Sequence, residues 1–129
     1  SWGLLAKFAG PVIGKIISKI QPSKLFPDKA IFMNSALSPS KNGMTQIGRA
    51  LQKHTGRANS SFSNITYSGH SATEDGMNVL KDIINSKKRI EISESNETKT
   101  VYDKITGRGF NISREGKFNG FRDMKEMRK

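Results

Sequence analysis

The stretch "KRIEISESNETKTVYDKITGRGFNISREGKFNGFRD", residues 88–123, decides the fold. Its apolar residues alternate instead of recurring every three or four positions. Ile90 and Ile92 fall on one face, and Val101, Asp103 and Ile105 oppose Tyr102 and Lys104. Alternation with period two marks strands, because successive side chains point to opposite sides of a sheet. "GRGFNIS" and "KFNGFRD" flank "REG", where Gly116 suits a tight hairpin turn. The stretch therefore predicts a meander of about four antiparallel strands.

Upstream of it the period is helical. "SATEDGMNVLKDIINS" carries Met77, Leu80, Ile83 and Ile84 as one stripe, with Ser71 or Thr73 as cap and Glu74 and Asp75 near the positive end of the helix dipole. "MTQIGRALQKHTGR" reads as another helix, capped by Thr45, with Ile47 and Leu51 inward and Gly56 as its stop. Between them, residues 58–70 form a polar loop anchored by Phe62 and Ile65. Helices followed by a sheet make an α+β fold: N-terminal helices and then a curved antiparallel sheet. The tail "MKEMRK" is charged and is expected to fray.

Residues 1–20, "SWGLLAKFAGPVIGKIISKI", place Leu5, Ala9, Val12, Ile13, Ile16, Ile17 and Ile20 on one broad helical face and three lysines on another. Pro11 and three glycines predict a kinked or two-piece helix. The segment reads either as a cover for a core or as an interfacial membrane helix with Trp2 at its end. The lysines interrupt it too often for a transmembrane span. It lacks the basic start of a signal peptide, and the chain begins with Ser, which is read as a piece cut from a longer protein. Residues 21–43 hold three prolines and predict a connector with at most a helical turn around 28–36. The expected division is 1–40, amphipathic helix and linker, and 41–129, the functional domain.

The chain has 129 residues, enough for one core, and a net charge of +11. Residues 1–64 carry +8 and residues 65–129 carry +3. Such a protein associates with polyanions: RNA, DNA, an anionic membrane or an acidic protein. With no cysteine and two histidines, thiol chemistry is excluded, no zinc site is expected, and no cofactor motif is present.

Three constellations could carry chemistry. In the helix 45–55 and its end, Lys53 and Arg57 share a face beside His54, an imidazole able to move protons near neutral pH. A solvated cationic helix end would look the same. In "TGRGFNIS", Gly107 and Gly109 permit a bulge or a close backbone approach beside Arg108, whose planar fork suits a phosphate. Thr106 adds a hydroxyl, and Phe110 is either core or a stacking surface. His70 meets the start of the helix after the loop, as a phosphate contact or a plain loop residue. Asp103 is an inward acid or a turn partner.

"GRALQKHTGRANSSF", the helix "GMNVLKDII" and the closing "GRGFNISREGKFNGFRD" together resemble the C-terminal toxin modules of bacterial polymorphic toxins, of the contact-dependent growth inhibition and RHS types. These modules are similar to the barnase, colicin and RelE ribonuclease group. The resemblance covers residues 46–123. It departs at Thr55 and Ala58, where the pattern has Gly and Pro, and at the "FRDM" ending. It implies two helices before a curved sheet, metal-independent cleavage of RNA, often tRNA, and a tight-binding immunity protein. By it Lys53, His54 and Arg57, and Gly107, Arg108 and Gly109, take the places of the group's motif residues.

The residues agree with that chemistry. RNA carries its own nucleophile, so cleavage needs a proton carrier and donors for charge on phosphorus. His54 is expected to carry the proton, Lys53, Arg57 and Arg108 to hold the phosphate, and Thr106 to orient. Arg49, Lys41, His70, Lys104 and Phe110 are expected to contact RNA. The expected product is a 2′,3′-cyclic phosphate, and His54→Ala is expected to stop cleavage without disturbing the fold. Expected partners are RNA, an acidic immunity protein, a target-cell cofactor protein and a transient membrane contact of residues 1–20. The expected setting is a larger secreted or surface protein that delivers the module to a target-cell cytoplasm. The alternatives are a non-catalytic basic nucleic-acid-binding module and a membrane-active toxin working through residues 1–20.

Overall fold

The computed structural model describes residues 11–20, 28–66, 68 and 71–127. Helix α1 covers residues 11–18, α2 Lys29–Leu37, α3 Gln46–Thr55 and α4 Ala72–Ile84, with a 3₁₀ turn at Lys41–Gly43. Strands β1 (Arg89–Ser93), β2 (Lys99–Asp103), β3 (Arg108–Ile112) and β4 (Phe118–Asp123) follow, and a one-turn helix α5 (Met124–Met127) comes after them. The sheet is an antiparallel meander in the order β1-β2-β3-β4, as alternation predicts.

Register explains the layering. Val101, Phe110 and Phe121 are cross-strand partners and so share one face. Helices α2, α3 and α4 pack against that face: α4 on β2 and β3, α3 and α2 on β4. One apolar cluster joins Val101, Phe110 and Phe121 to Phe32, Leu51, Phe62 and Leu80. At its centre the rings of Phe32 and Phe110 (5.6 Å), Phe62 and Phe121 (5.4 Å) and Phe118 and Phe121 (5.4 Å) interlock. Burying each such ring stabilises the fold by about 1.5–3 kcal/mol. The register shifts between Phe110 and Ile112, so that Phe118 and Phe121, three apart, both reach the core.

The cap is as expected at α3 and differs at α4. Thr45 accepts from the Gly48 N–H, and α3 stops at Gly56. Ser71 occupies the N-cap of α4, but its hydroxyl donates to the Asp75 carboxylate, 2.8 Å away, instead of serving the backbone. The Thr73 hydroxyl meets that of Thr45 at 2.7 Å and ties the starts of α3 and α4 together. Gly116, at φ +87°, makes the β3–β4 turn.

The structure differs from expectation in four places. Residues 29–37 form a full helix, not a turn within a connector, because the Asp28 carboxylate accepts from the Ala30 and Ile31 N–H groups. The start of the tail is helical, because Asp123 caps it by accepting from the Lys125 N–H at 2.9 Å. Ile105 does not share the face of Val101; it lies in the β2–β3 turn, 72% exposed. Asp103 is the turn partner of that connection, accepting from Ser86 Oγ and Thr106 Oγ1 and from the Ile105 N–H.

In α1 and just after it, Ile13, Ile16, Ile17 and Ile20 are buried in the same cluster as Leu51 and Phe110, so the core runs across residue 40. The Lys29 ammonium donates to the carbonyls of Ile17 and Ile20, and the Asn85 amide to that of Lys19. Residues 11–20 therefore cover a core. The part of the amphipathic helix that includes Leu5, Ala9 and Trp2 lies outside the described residues. Among the described residues no helix is long and apolar enough to cross a membrane.

Candidate active site

Helix α3 is amphipathic, and its two faces build the site. Ile47, Leu51 and His54 recur at four- and three-residue intervals and form the inward stripe. Arg49 and Lys53, four apart, and Arg57 beyond the helix end line a cleft of about 430 Å³. Lys41 and Ser40 come from the 3₁₀ turn, and Asn119 and Arg122 from β4 form the opposite wall. Five cations thus share a lining without a carboxylate. A cleft of one charge sign concentrates field and counter-ions.

His54 is at this cleft wall, but only 7% exposed. Its ring packs on Phe62 at 4.8 Å. Nδ1 is buried without a hydrogen-bond partner. Burial pushes the imidazole's pKa down and Arg57 pushes it further. Glu126, a backbone hydrogen bond at Phe121 and Asp123 oppose them without reversing the direction. The net direction favours the neutral ring, the form that accepts a proton. Arg57 pairs with Glu126 at 3.0 Å, and both are about half exposed, so the pair contributes about 0–1 kcal/mol.

Arg108 and Thr106 do not join the cleft. The Arg108 guanidinium donates to the Ser61 carbonyl (2.7 Å) and to Asn64 Oδ1 (2.6 Å). It lies 5.9 Å from the Phe62 ring that also carries His54. The fork is occupied in holding the 58–66 loop, and burial lowers its pKa. The Thr106 hydroxyl donates to Asp103 and accepts from the Arg108 N–H, inside the turn. Gly107, at φ +81°, lets that turn approach Ser61: a Cβ there would come within 2.8 Å of Ser61 Oγ. Gly109 lies under Tyr102 and 2.7 Å from the Val101 carbonyl, measured from where a Cβ would stand. The close approach expected of these glycines is present, and the bulge is further along, at Phe110–Ile112.

Phe110 is fully buried among Phe32 and its neighbours, so it is core and no stacking surface. Lys104 is exposed in the β2–β3 turn, away from the cleft. His70 lies outside the described residues. Lys41, Arg49, Lys53, His54 and Arg57 are brought together. Sequence reasoning missed Arg122, Asn119 and Gln46. Arg122 is held by its own strand, donating to the Asn119 and Phe121 carbonyls at 3.2 and 3.0 Å. Among the described residues no three His, Asp or Glu are grouped to hold a metal ion.

This geometry stands within a known family. The family model of the CdiA C-terminal tRNase toxin domain matches residues 33–123, from inside α2 to the last residue of β4. The chain belongs to the CdiA C-terminal tRNase toxin domain family. It is an endoribonuclease toxin that cleaves tRNA in competition between bacteria. CdiA toxin domains of this kind are delivered into target cells by a larger protein. The fold is similar to the crystal structure of the toxic C-terminal tip of CdiA from Pseudomonas aeruginosa, in complex with its immune protein. The two are 29% identical, with a TM-score of 0.56, over 70% of this chain and 99% of that one. Comparison with curated protein sequences gives no match. The match to the CdiA tRNase family takes in every cleft residue named above, from Ser40 to Arg122.

Proposed function

We propose that the α3–β4 cleft is where tRNA is cut, that the cut needs no metal ion, and that it leaves a 2′,3′-cyclic phosphate. One observation carries this reading: five cations and one imidazole line a cleft without a carboxylate. Lys41, Arg49, Lys53, Arg57 and Arg122 bind backbone phosphates and neutralise charge growing on phosphorus. His54 accepts the 2′-hydroxyl proton once its ring turns on Phe62 to bring a nitrogen to the cleft, because Nδ1 is buried in the resting position. The 2′ oxygen then bonds to phosphorus, the P–O5′ bond breaks, and the 5′ oxygen leaves with a proton taken from solvent water. Arg108 and Thr106 serve the site indirectly, by fixing the loop and turn behind Phe62. The nuclease unit contains residues 41–123, with α1 and α2 completing its core. An acidic immunity protein, as counterpart of the neighbour's immune protein, would cover the same cations and be steered by them.

The test is cleavage of a tRNA pool by purified protein in chelator, wild type against His54→Asn, with the new ends analysed. Expected are cyclic-phosphate ends from wild type and a loss of roughly 100-fold or more in rate for His54→Asn. A variant as fast as wild type, or cleavage that stops in chelator, overturns the reading. Cutting that appears only with cell extract points to a target-cell cofactor.

A further inference from the structure

The sheet face opposite the helices carries a chain of polar side chains that ends in the cleft. The Thr100 hydroxyl donates to the Glu94 carboxylate at 3.0 Å. The Asn111 amide nitrogen donates to Thr100 Oγ1 at 2.8 Å and to Thr98 Oγ1 at 3.2 Å. The Asn119 amide nitrogen donates to Asn111 Oδ1 at 2.9 Å. Thr100 and Asn111 are buried, and Asn119 is exposed at the cleft wall.

The direction of the chain is set by its far end. An ionised carboxylate only accepts, so Thr100 spends its one proton on Glu94 and must accept from Asn111. That fixes the nitrogen of Asn111 toward Thr100 and its oxygen toward Asn119. Asn119 in turn commits its nitrogen to Asn111, and among the described residues its Oδ1 receives no donor. In most amides which end is nitrogen is a matter of assignment; here the network leaves one choice. Gln46, at the other wall, is fixed in the same sense, because its nitrogen donates to the Pro39 carbonyl at 3.0 Å. The cleft therefore combines lysine and arginine side chains, which only donate, with amide oxygens that only await a donor.

A phosphate has no hydrogen to offer such an oxygen, whereas a base with an exocyclic amino group does. We propose that Asn119 Oδ1 is a specificity-determining acceptor that reads the exocyclic amino group of a base beside the cut. Glu94, Thr100 and Asn111 are the positioning residues that hold it in that sense. Adenine, guanine and cytosine carry such a group; uracil does not, and its one ring donor, N3–H, lies between two carbonyl oxygens that face Asn119 Oδ1 as like against like.

The proposal rests on the cleft being where tRNA is cut, and its test separates the two. A tRNA library randomised over the nucleotides flanking the wild-type cut is digested partially with wild type, Asn119→Ala and Glu94→Ala, and the ends are sequenced. With wild type, uridine is depleted roughly tenfold or more at one flanking position. Asn119→Ala removes the depletion. Glu94→Ala, an exposed change outside the cleft, lets the amides turn over and weakens it. Even use of uridine by wild type, or depletion unchanged in Asn119→Ala, overturns the assignment; depletion unchanged in Glu94→Ala overturns the relay. Failure of the cleft as the cutting site shows separately, as His54→Asn cutting the same library at the wild-type rate, in which the base distribution is read equally well.

Discussion

At the scale of the residue, His54 has two duties that pull against each other. It completes the inward stripe of α3 and it borders the cleft, so the apolar setting that anchors it also disfavours its charged form. If the neutral ring is the working base, kcat/KM rises with pH through a value below the ordinary 6.5, and the acid limb lies on that side. Glu126→Gln removes a carboxylate that raises this value, so the limb moves to lower pH; a pH–rate profile checks it. The same shift links to stability. Because the folded protein resists protonating His54, the contribution is present above pH 6.5 and is lost as pH falls through the folded value. Denaturation midpoints measured across that window should fall with acid in wild type and less so in His54→Asn. The stacking on Phe62 also revises the expectation for His54→Ala, which leaves a void and costs about 1–3 kcal/mol in thermal or denaturant unfolding. His54 stood out in the sequence as a titratable group among cations, and its place at the cleft wall agrees with that; its burial was missed, although Ile47, Leu51 and His54 keep helical spacing. Arg108 was misplaced because a guanidinium between glycines looks the same in a sequence whether it meets a phosphate or a backbone carbonyl.

At the scale of the element, the junction between β4 and α5 holds the 58–66 loop. Asp123 is 3% exposed and accepts from the Ser61 N–H and Ser61 Oγ, both at 2.7 Å, and from the Lys125 N–H. Burial pushes its carboxyl up, but these bonds and the Lys125 charge take the net value below the usual 3.8. Its contribution is therefore present above pH 3.8 and lost as pH falls through the lowered value. Asp123→Ala strands buried donors and is expected to cost about 2–3 kcal/mol, read as a lower urea midpoint. Gly107→Ala should destabilise as well, by about 1–3 kcal/mol, since a left-handed φ and the contact with Ser61 both oppose a side chain. The elements themselves were legible wherever the period was clear, as in α3, α4 and the four strands. Helix α2 was hidden because prolines at 22 and 27 suggested a connector, while Asp28 was already in place to cap a helix. Arg122 and Asn119 were missed for a related reason. Phe118 and Phe121 are three apart, which breaks strict alternation, and that spacing is the written trace of the bulge that puts Asn119 and Arg122 on the cleft wall.

For the molecule as a whole, charge governs encounter. With +11 overall and five cations lining one cleft, tRNA binding should weaken steeply with salt. Lys53→Glu should reduce the slope of log K against log salt by about one or more, in a filter-binding series. The overall architecture was legible because an alternating tract of 36 residues admits little besides a sheet, and a sheet with one apolar face needs helices to cover it. How far the core reaches toward the N-terminus was not, because the same amphipathic pattern serves protein and lipid alike. Ile13, Ile16, Ile17 and Ile20 lie beneath the rest of the domain. Four greasy side chains cannot be in two solvents at once. Any passage in which they touch a bilayer must first uncover the core they close, so that lipid contact and the complete fold exclude each other in time.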